Sequence, residues 1–591
     1  MHRDRSILLY YLYVVATAVF VFVVAHWDAL TSPYVINDDV RQQVYWMQSW
    51  LDPELYRNDL LTEYAKNYVP WGVQAVYAAT AVLVEPLYFS KILTGILFVS
   101  TACLLFALGL GLGDRLTAVL IVCVYFLFGA FLSQMSGGLS RGFVYPLLIA
   151  HVLLLDRGMI VAASAVVVLE SVLNPYIFLV SLCTQGLFVA HHNGRSMVNE
   201  LLFRISRFEM ALHSSSPEAD ESPNREARLH PGSRSLPERI GSGKRDGHDP
   251  SKKIPTLRLW ASCALVTVAS ALIALKYVIL KSPEFGSVVT KAQMGGRIEY
   301  TAAGRYDILP GPFWLELIRS LTPWPETSLL SICVGCLLFC AMVLAAAWSF
   351  TRKRPVVNPK RLQIFVYLLG ASALLYFAAE VLFMKLFVPR RYLEFSVSVF
   401  YCVLIAVSAR TAIENIGMRR VAFPTLVTVL VVIGAVRLHG IALYDYSRDA
   451  GLYELLESTP KSAVVAGHPE VMDNIPTFAR RTAFVTYELS HSWYDRYWEV
   501  IKKRTFDFFT AYYASDPEQI RRFGRDNGIT YMVVREADFA PENLNGKAIY
   551  FEPFGDYVRK LTAGRRYFAI LDVAKFPPVF RSKGMRVVKL N

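Results

Sequence analysis

The chain has 591 residues, of which 54% are hydrophobic and 18% charged, against roughly 25% charged in soluble proteins. A mean hydropathy of +0.35 and recurring apolar runs of about 20 residues, each long enough to cross a bilayer, exclude an ordinary soluble enzyme. The net charge of +13 does not imply nucleic acid, because much of the excess lies in short loops beside apolar runs, where Lys and Arg hold loops in the cytoplasm.

In chain order, a short basic start leads into the apolar run Ser6–His26, which reads as a retained anchor with its N-terminus in the cytoplasm. An outer loop, 27–87, follows. It opens with Asn37-Asp38-Asp39, and Val40, Val44, Met47 and Leu51 make one helical stripe. Asp52-Pro53-Glu54 reads as a helix start, and Trp71–Val84, bounded by Pro70 and Pro86, reads as lying along the interface. Spans are expected at 88–112, 116–132, 143–155, 159–173 and 176–190. Ser133–Arg141 forms an outer loop, and Asn174-Pro175 breaks the last pair. Residues 191–256, rich in Ser, Pro, Gly and charge over Ser214–Lys253, read as a largely disordered cytoplasmic loop. Further spans are expected at 257–280, 329–350, 362–388, 393–412 and 421–436, with a long polar-aromatic outer loop at 281–328 that includes Arg305-Tyr306.

From about Leu443 the chain is soluble in character. Strand-like runs fall at Ser462–Ala466, Ala483–Thr486, Thr530–Val534 and Tyr567–Leu571, with helical stretches at Tyr494–Tyr513 and Pro517–Asn527. No glycine-rich phosphate fingerprint follows any of these strands. The expected fold is therefore a polytopic α-helical membrane protein of about 11 spans with a small C-terminal α/β extracytoplasmic domain. Its units are 1–190, the loop 191–256, a second membrane module 257–442, and the outer domain 443–591. All eight cysteines lie in apolar runs, and Cys333 and Cys336 read as packing residues rather than metal ligands.

The adjacent carboxylates Asp38 and Asp39 admit two readings: carboxylates in the first turn of a helix that Asn37 caps, or reacting groups at a membrane face. Arg390 and Arg391 head a late span on the same face, where snorkelling to lipid headgroups is the competing explanation. Arg141 heads another span on that face. Glu170 and Glu380 fall inside expected spans, where carboxylates are costly and often functional; Glu170 also sits near the helix break, where it can satisfy freed backbone groups.

This layout resembles the GT-C superfamily of integral membrane glycosyltransferases: a first span, an acidic outer loop, many spans and an outside C-terminal domain. Asp38 and Asp39 match the family's first-loop acidic position, and Arg390 and Arg391 resemble the basic residues used against a lipid phosphate. The stretch Asp52-Pro53-Glu54-Leu55-Tyr56-Arg57-Asn58-Asp59 is similar to one in uncharacterised bacterial members. The chain departs from the pattern where the outer loop before the fourth span ends in Ser140-Arg141 without a second carboxylate. The resemblance implies an enzyme of the cytoplasmic membrane that moves a sugar from a polyprenyl-phosphate carrier to an acceptor on the outer face. Asp39 or Asp38 would serve as base, and Arg390, Arg391 and Arg141 would meet the phosphate. No cofactor is fixed by the sequence, and a divalent metal stays open. The expected partners are the lipid-linked sugar and membrane lipid, not nucleic acid. A transporter or flippase of lipid-linked sugars and a non-catalytic scaffold of envelope assembly are the alternatives.

Overall fold

The computed structural model describes residues 2–193, 254–279, 283–306, 312–315, 317, 333, 337, 339–344, 347–348, 357–386, 388–416, 422–544, 546 and 549–590. The expected loop 214–253, most of the expected span 329–350 (Cys336 included) and most of 307–328 lie outside the described residues.

The membrane part is built from α1 (His2–Ala25), α2 (Leu60–Tyr68), α3 (Trp71–Ala81), α4 (Pro86–Leu112), α5 (Arg115–Leu127), α6 (Gly129–Met135), α7 (Val144–Asp156), α8 (Ile160–Leu173), α9 (Thr256–Ala274), α10 (Pro359–Val381), α11 (Arg390–Ile416) and α12 (Ala422–Arg437). A further helix, 175–193, follows the break at Asn174. Five segments are long and apolar enough to cross a membrane: Ser6–Ala25, Pro86–Leu112, Thr256–Tyr277, Pro359–Val381 and Arg390–Glu414. A sixth candidate is α5 with α6, bent by 67° between them. The chain is thus a mostly helical integral membrane protein, with five or six full-length candidates among the described residues; the remaining expected spans correspond to shorter helices such as α8 and α12 or to undescribed residues. Helix α3, of 11 residues, is about 16 Å long and cannot cross a hydrocarbon core of about 30 Å.

The helices pack α1 on α4 and α12, α4 on α5 and α7, and α11 on α5 and α10. Polar side chains join α8, α9 and helix 175–193: the Ser164 and Ser262 hydroxyls lie 2.8 Å apart, and Gln185 Nε2 donates to both at 2.8 and 2.9 Å. Such bonds between helices hold a bundle together where burial of apolar surface no longer discriminates.

The segment 52–59 departs from expectation. Asp52 does not cap a helix; it starts a series of turns, because Tyr56 and Asn58 adopt left-handed backbone at φ 56° and 57°. The helix begins at Leu60 instead, where Asp59 accepts from the amides of Leu61 and Thr62 at 3.3 and 3.0 Å.

Two short strands tie the segment after α1 to the C-terminal part: β1 (Val35–Ile36) pairs antiparallel with β2 (Tyr444–Asp445). Beyond them a five-stranded mixed sheet forms from β3 (Val464–Ala466), β4 (Thr482–Ala483), β5 (Tyr531–Arg535), β6 (Pro578–Ser582) and β7 (Met585–Lys589), in the order β4-β3-β5-β7-β6. β3 runs parallel to β4 and β5, while β7 is antiparallel to β5 and β6. The helix α13 (Asp495–Tyr512) packs its apolar side inward through Tyr497, Trp498, Ile501 and Phe508. Of the four expected strands three are present. Tyr567–Leu571 is not a strand and ends in a short 3-10 turn, Ala569–Leu571. The sheet is completed by the hairpin β6–β7, turned by Lys583 and Gly584, both at positive φ.

Candidate active site

At the end of the bundle where α1 finishes and α4 and α11 begin, the loop after β1 meets the loop after α6. The Asn37 side-chain oxygen accepts the Asp39 amide at 3.2 Å, an Asx-turn, and its Nδ2 donates to the Ala442 carbonyl at 2.9 Å. This pins Asp38 and Asp39 beside the β1–β2 ladder. From the other loop, Gly137 and Gly138 take φ 89° and 61°. A Cβ on Gly137 would stand 2.9 Å from Val40 Cγ2 and 3.1 Å from Asn37 Cβ, so only glycine lets these two loops touch. The close approach brings Arg141 onto Asp39: its Nη1 bonds Asp39 Oδ2, and its Nη2 donates to Asn37 Oδ1 at 3.1 Å. Gln42 holds the other Asp39 oxygen at 2.7 Å.

Asp38 faces a different set. Its Oδ1 accepts from Arg41 and from the Tyr446 hydroxyl at 2.8 Å. The Asp38 carboxyl thus meets side chains, not the amides of a helix start. Arg41 is buried, lies 4.4 Å from the Tyr446 ring centroid, and donates to Asn474 at 2.9 Å. It also lies 3.9 Å from both Asp473 and Glu488. Glu488 in turn pairs with Arg305 at 3.5 Å, and Gln42 reaches it at 3.5 Å. Arg305 sits 3.5 Å from the Tyr487 ring centroid. Four carboxyl groups and three guanidiniums are thus gathered from the loop after β1, the loops at 141 and 305, and the C-terminal part.

The charges perturb one another. Burial works against the Arg41 charge, but Asp473 and Asp38 outweigh it and its pKa is raised. Burial raises the pKa of Asp473 well above the carboxylate range, with Arg41 opposing. Glu488 is raised by burial too, with Arg305 opposing and Asp38 adding. Burial thus favours the uncharged forms of Asp473 and Glu488, and Arg41 and Arg305 oppose it.

Tyr68, at the C-terminal end of α2, links the cluster to α11. Its pKa is pushed up to about 12, first by desolvation of the hydroxyl end and then by Asp39, with Arg391 and Arg141 opposing, although 37% of the residue stays accessible. Asp39, Arg141 and Arg391 therefore act on one hydroxyl. Arg390, the first residue of α11, is exposed. Gln134 of α6, the helix that leads into the Arg141 loop, donates to Glu394 of α11 at 2.7 Å. An aromatic wall adjoins Tyr68: His491 stacks on Trp493 at 4.1 Å, and its pKa is lowered to about 3 by desolvation and Arg305, which keeps the ring neutral.

No group of three or more His, Cys, Asp or Glu side chains is placed to hold a metal among the described residues. The carboxylates do not fit one as arranged, since Arg141 and Gln42 take the Asp39 oxygens and Arg41 and Tyr446 take Asp38. Elsewhere in the bundle, Glu170 is fully buried and accepts the Ser181 hydroxyl at 2.9 Å, and Glu380 is half-buried in α10. Sequence reasoning missed Arg41, Asp473, Glu488 and Tyr446. Only Arg305, in a loop with clustered charge and aromatics, carried a local signal.

No family model matches the chain, and no curated protein matches it. Among solved structures it is similar to the oligosaccharyltransferase of Archaeoglobus fulgidus in the apo form, at 13% identity and TM-score 0.47, covering 93% of this chain and 72% of that one. The same protein in complex with Zn and sulfate matches at 11% identity and TM-score 0.48, covering 93% and 70%. ArnT from Cupriavidus metallidurans, in the apo state, matches at 11% identity and TM-score 0.39 over 100% of this chain and 99% of that one. Both are glycosyltransferases of the GT-C class. At such identities no residue role carries over, and the roles that follow rest on this chain's own geometry.

Proposed function

We propose that the chain is a membrane glycosyltransferase that moves a sugar from a polyprenyl-phosphate carrier to an acceptor hydroxyl on the outer face of the membrane. The observation that carries this reading is the pairing of one carboxylate, Asp39, with Arg141 at the head of a helix; Arg391 is assigned to the same site because it acts with Asp39 and Arg141 on the Tyr68 hydroxyl. The acceptor oxygen bonds to the anomeric carbon while the bond from that carbon to the phosphate oxygen breaks, and the acceptor's proton passes to Asp39. A carboxylate in reach of the hydroxyl is the base the reaction needs. Guanidinium groups suit the departing phosphate, because they pair with it two-pronged and keep their charge. Arg141 occupies Asp39 in the present arrangement. An arriving phosphate competes for that guanidinium and frees the carboxylate as the donor binds. Asp38, held by Arg41 and Tyr446, acts as a support for the loop.

Arg391 has the greater part in this reading, with Arg390 at the lipid headgroups. Residues 443–591 form the extracytoplasmic domain that closes the site from outside, with the N-terminus of the chain in the cytoplasm; a reporter fused after Asn591 reads that orientation directly. The test of the donor site is transfer from a polyprenyl-phosphate sugar by Arg391→Gln and Arg390→Gln proteins. Arg391→Gln raises the donor KM about tenfold or more, the loss expected for a charge-assisted bond, and Arg390→Gln changes it little. Equal, small effects would leave both arginines as headgroup anchors. Vesicle assays in which the purified protein flips the donor without transfer would favour a transporter instead.

A further inference from the structure

The turns at 52–59, which take no part in the transfer proposed above, form one wall of a cavity. It has a volume of about 940 Å³, within the size range of ligand sites, and its other wall is the edge of the sheet at Lys461–Val464 and Arg481–Phe484, with Arg504 of α13 and Asp526-Asn527. Helix α2 separates it from Tyr68 by nine residues, about 13 Å.

Two features show a built site. The first is the backbone. Tyr56 and Asn58 are non-glycine residues in left-handed conformation, a strain that persists only where the surroundings enforce it. Here Tyr56 is buried with its hydroxyl on the Pro476 carbonyl at 2.6 Å, and Lys461 holds Asp52 and Glu54 at 2.7 and 3.1 Å. The turn so fixed leaves Arg57 and Asn58 exposed at the cavity.

The second feature is the charge arrangement. Three guanidiniums line the cavity, and each bonds main-chain carbonyls instead of carboxylates: Arg57 to Pro53, Arg504 to Phe484, and the buried Arg481 to Glu457, Thr459 and Arg480. The acids are otherwise engaged. Glu54 is on Lys461, and Asp59 caps α2. Arg57 and Arg504 each keep most of their five N–H donors for a ligand, with Arg481 adding its charge from behind. The same cavity is lined by groups suited to hydroxyls: Asn58, Ser462, Asn527 and the exposed Asp526. The carboxylates of Asp59 and Glu457 act on Arg504 and Arg481 without bonding them, and the open donors of Arg57 and Arg504 suit an anion.

We propose that this cavity binds a saccharide carrying an anionic group, phosphate or carboxylate, with the anion on Arg57 and Arg504 and the sugar hydroxyls on Asn58, Asp526 and Asn527. Binding is read without transfer, so the proposal stands or falls apart from the reaction assigned to Asp39.

The experiment is calorimetric titration of the full-length protein in detergent with glucose 6-phosphate, glucuronate and glucose. The expected result is saturable binding of at least one anionic sugar, weaker or absent for glucose. Affinity falls about tenfold in Arg57→Gln and in Arg504→Gln and is unchanged in Lys503→Gln, a neighbouring exposed residue paired with Asp507. The phosphate and carboxylate arms show which anion is preferred. Arg57 is exposed, so its variant tests the site even where Arg504→Gln folds poorly. No saturable binding of either anionic sugar, equal binding of glucose, or an affinity unaffected by Arg57→Gln would overturn the proposal.

Discussion

Replacing Arg41 by Met is a sharp probe of how the charge cluster is balanced. Met keeps the unbranched stem against Tyr446 and removes the cation that lies among Asp38, Asp473 and Glu488. Asp473 is 3% and Glu488 15% exposed, so both lose a partner in a poorly solvated place. Asp38, at 36%, is discounted as solvent-screened. Breaking a buried pair by removing one partner costs about 3–5 kcal/mol. The sign of the pH dependence follows from the raised pKa values of Asp473 and Glu488. A carboxyl whose folded pKa lies above its unfolded value near 4 destabilises the fold progressively as pH rises through that interval, and fully above the folded pKa. Without Arg41 to oppose it, the rise is larger. The Arg41→Met deficit is therefore small near pH 4 and grows toward pH 8. Adding Asp473→Asn, which keeps the acceptor for the Glu488 amide at 2.8 Å and removes one acid, recovers part of the loss, with a coupling of about 0.5–3 kcal/mol. The assay is thermal denaturation in detergent at one scan rate, since such proteins unfold irreversibly. A deficit that is flat with pH, or strictly additive with Asp473→Asn, would refute the balance described here.

Gly137→Ala places a Cβ against Val40 and Asn37 at a backbone φ of 89°; such strain costs about 1–3 kcal/mol. Because it pushes the Arg141 loop off Asp39, transfer falls more than melting temperature does, and parallel losses would contradict the positioning role. Glu170→Gln retains an oxygen for the Ser181 hydroxyl and is expected to leave folding and transfer within a few-fold of the parent. Abolished activity with intact folding would mean that the carboxyl itself works, as a proton-coupled transporter requires.

The membrane class and three of the strands were legible from local pattern: apolar length and runs of β-branched residues. Asn37 reads as a helix cap but makes an Asx-turn instead, with Asp39 preceding the helix. Asp39, Arg141 and Arg391 were legible as charges at the ends of apolar runs. What held them together was not. Asp473 and Glu488 lie more than 400 positions from Arg41 in sequence, and no spacing rule connects them. Their signal is burial of charge, which only the folded chain reveals. The turns at 52–59 read as a helix start because Asp-Pro-Glu carries that pattern, while nothing in Tyr56 announces left-handed backbone; the enforcing contact is the distant Pro476 carbonyl. The hairpin β6–β7 was missed although Lys583-Gly584 supplies its turn.

The proposed reaction is tested most directly by sugar transfer from a polyprenyl-phosphate donor, comparing Asp39→Asn and Asp38→Asn proteins with the parent at matched thermal stability. Asn preserves the shape and the bond from Gln42 but cannot accept the proton. The account predicts a rate loss on the order of 10²–10⁴-fold for Asp39→Asn, the usual range for a general base, and a loss of about tenfold or less for Asp38→Asn, whose contacts are to Arg41 and Tyr446. Near-parental turnover by Asp39→Asn would contradict it.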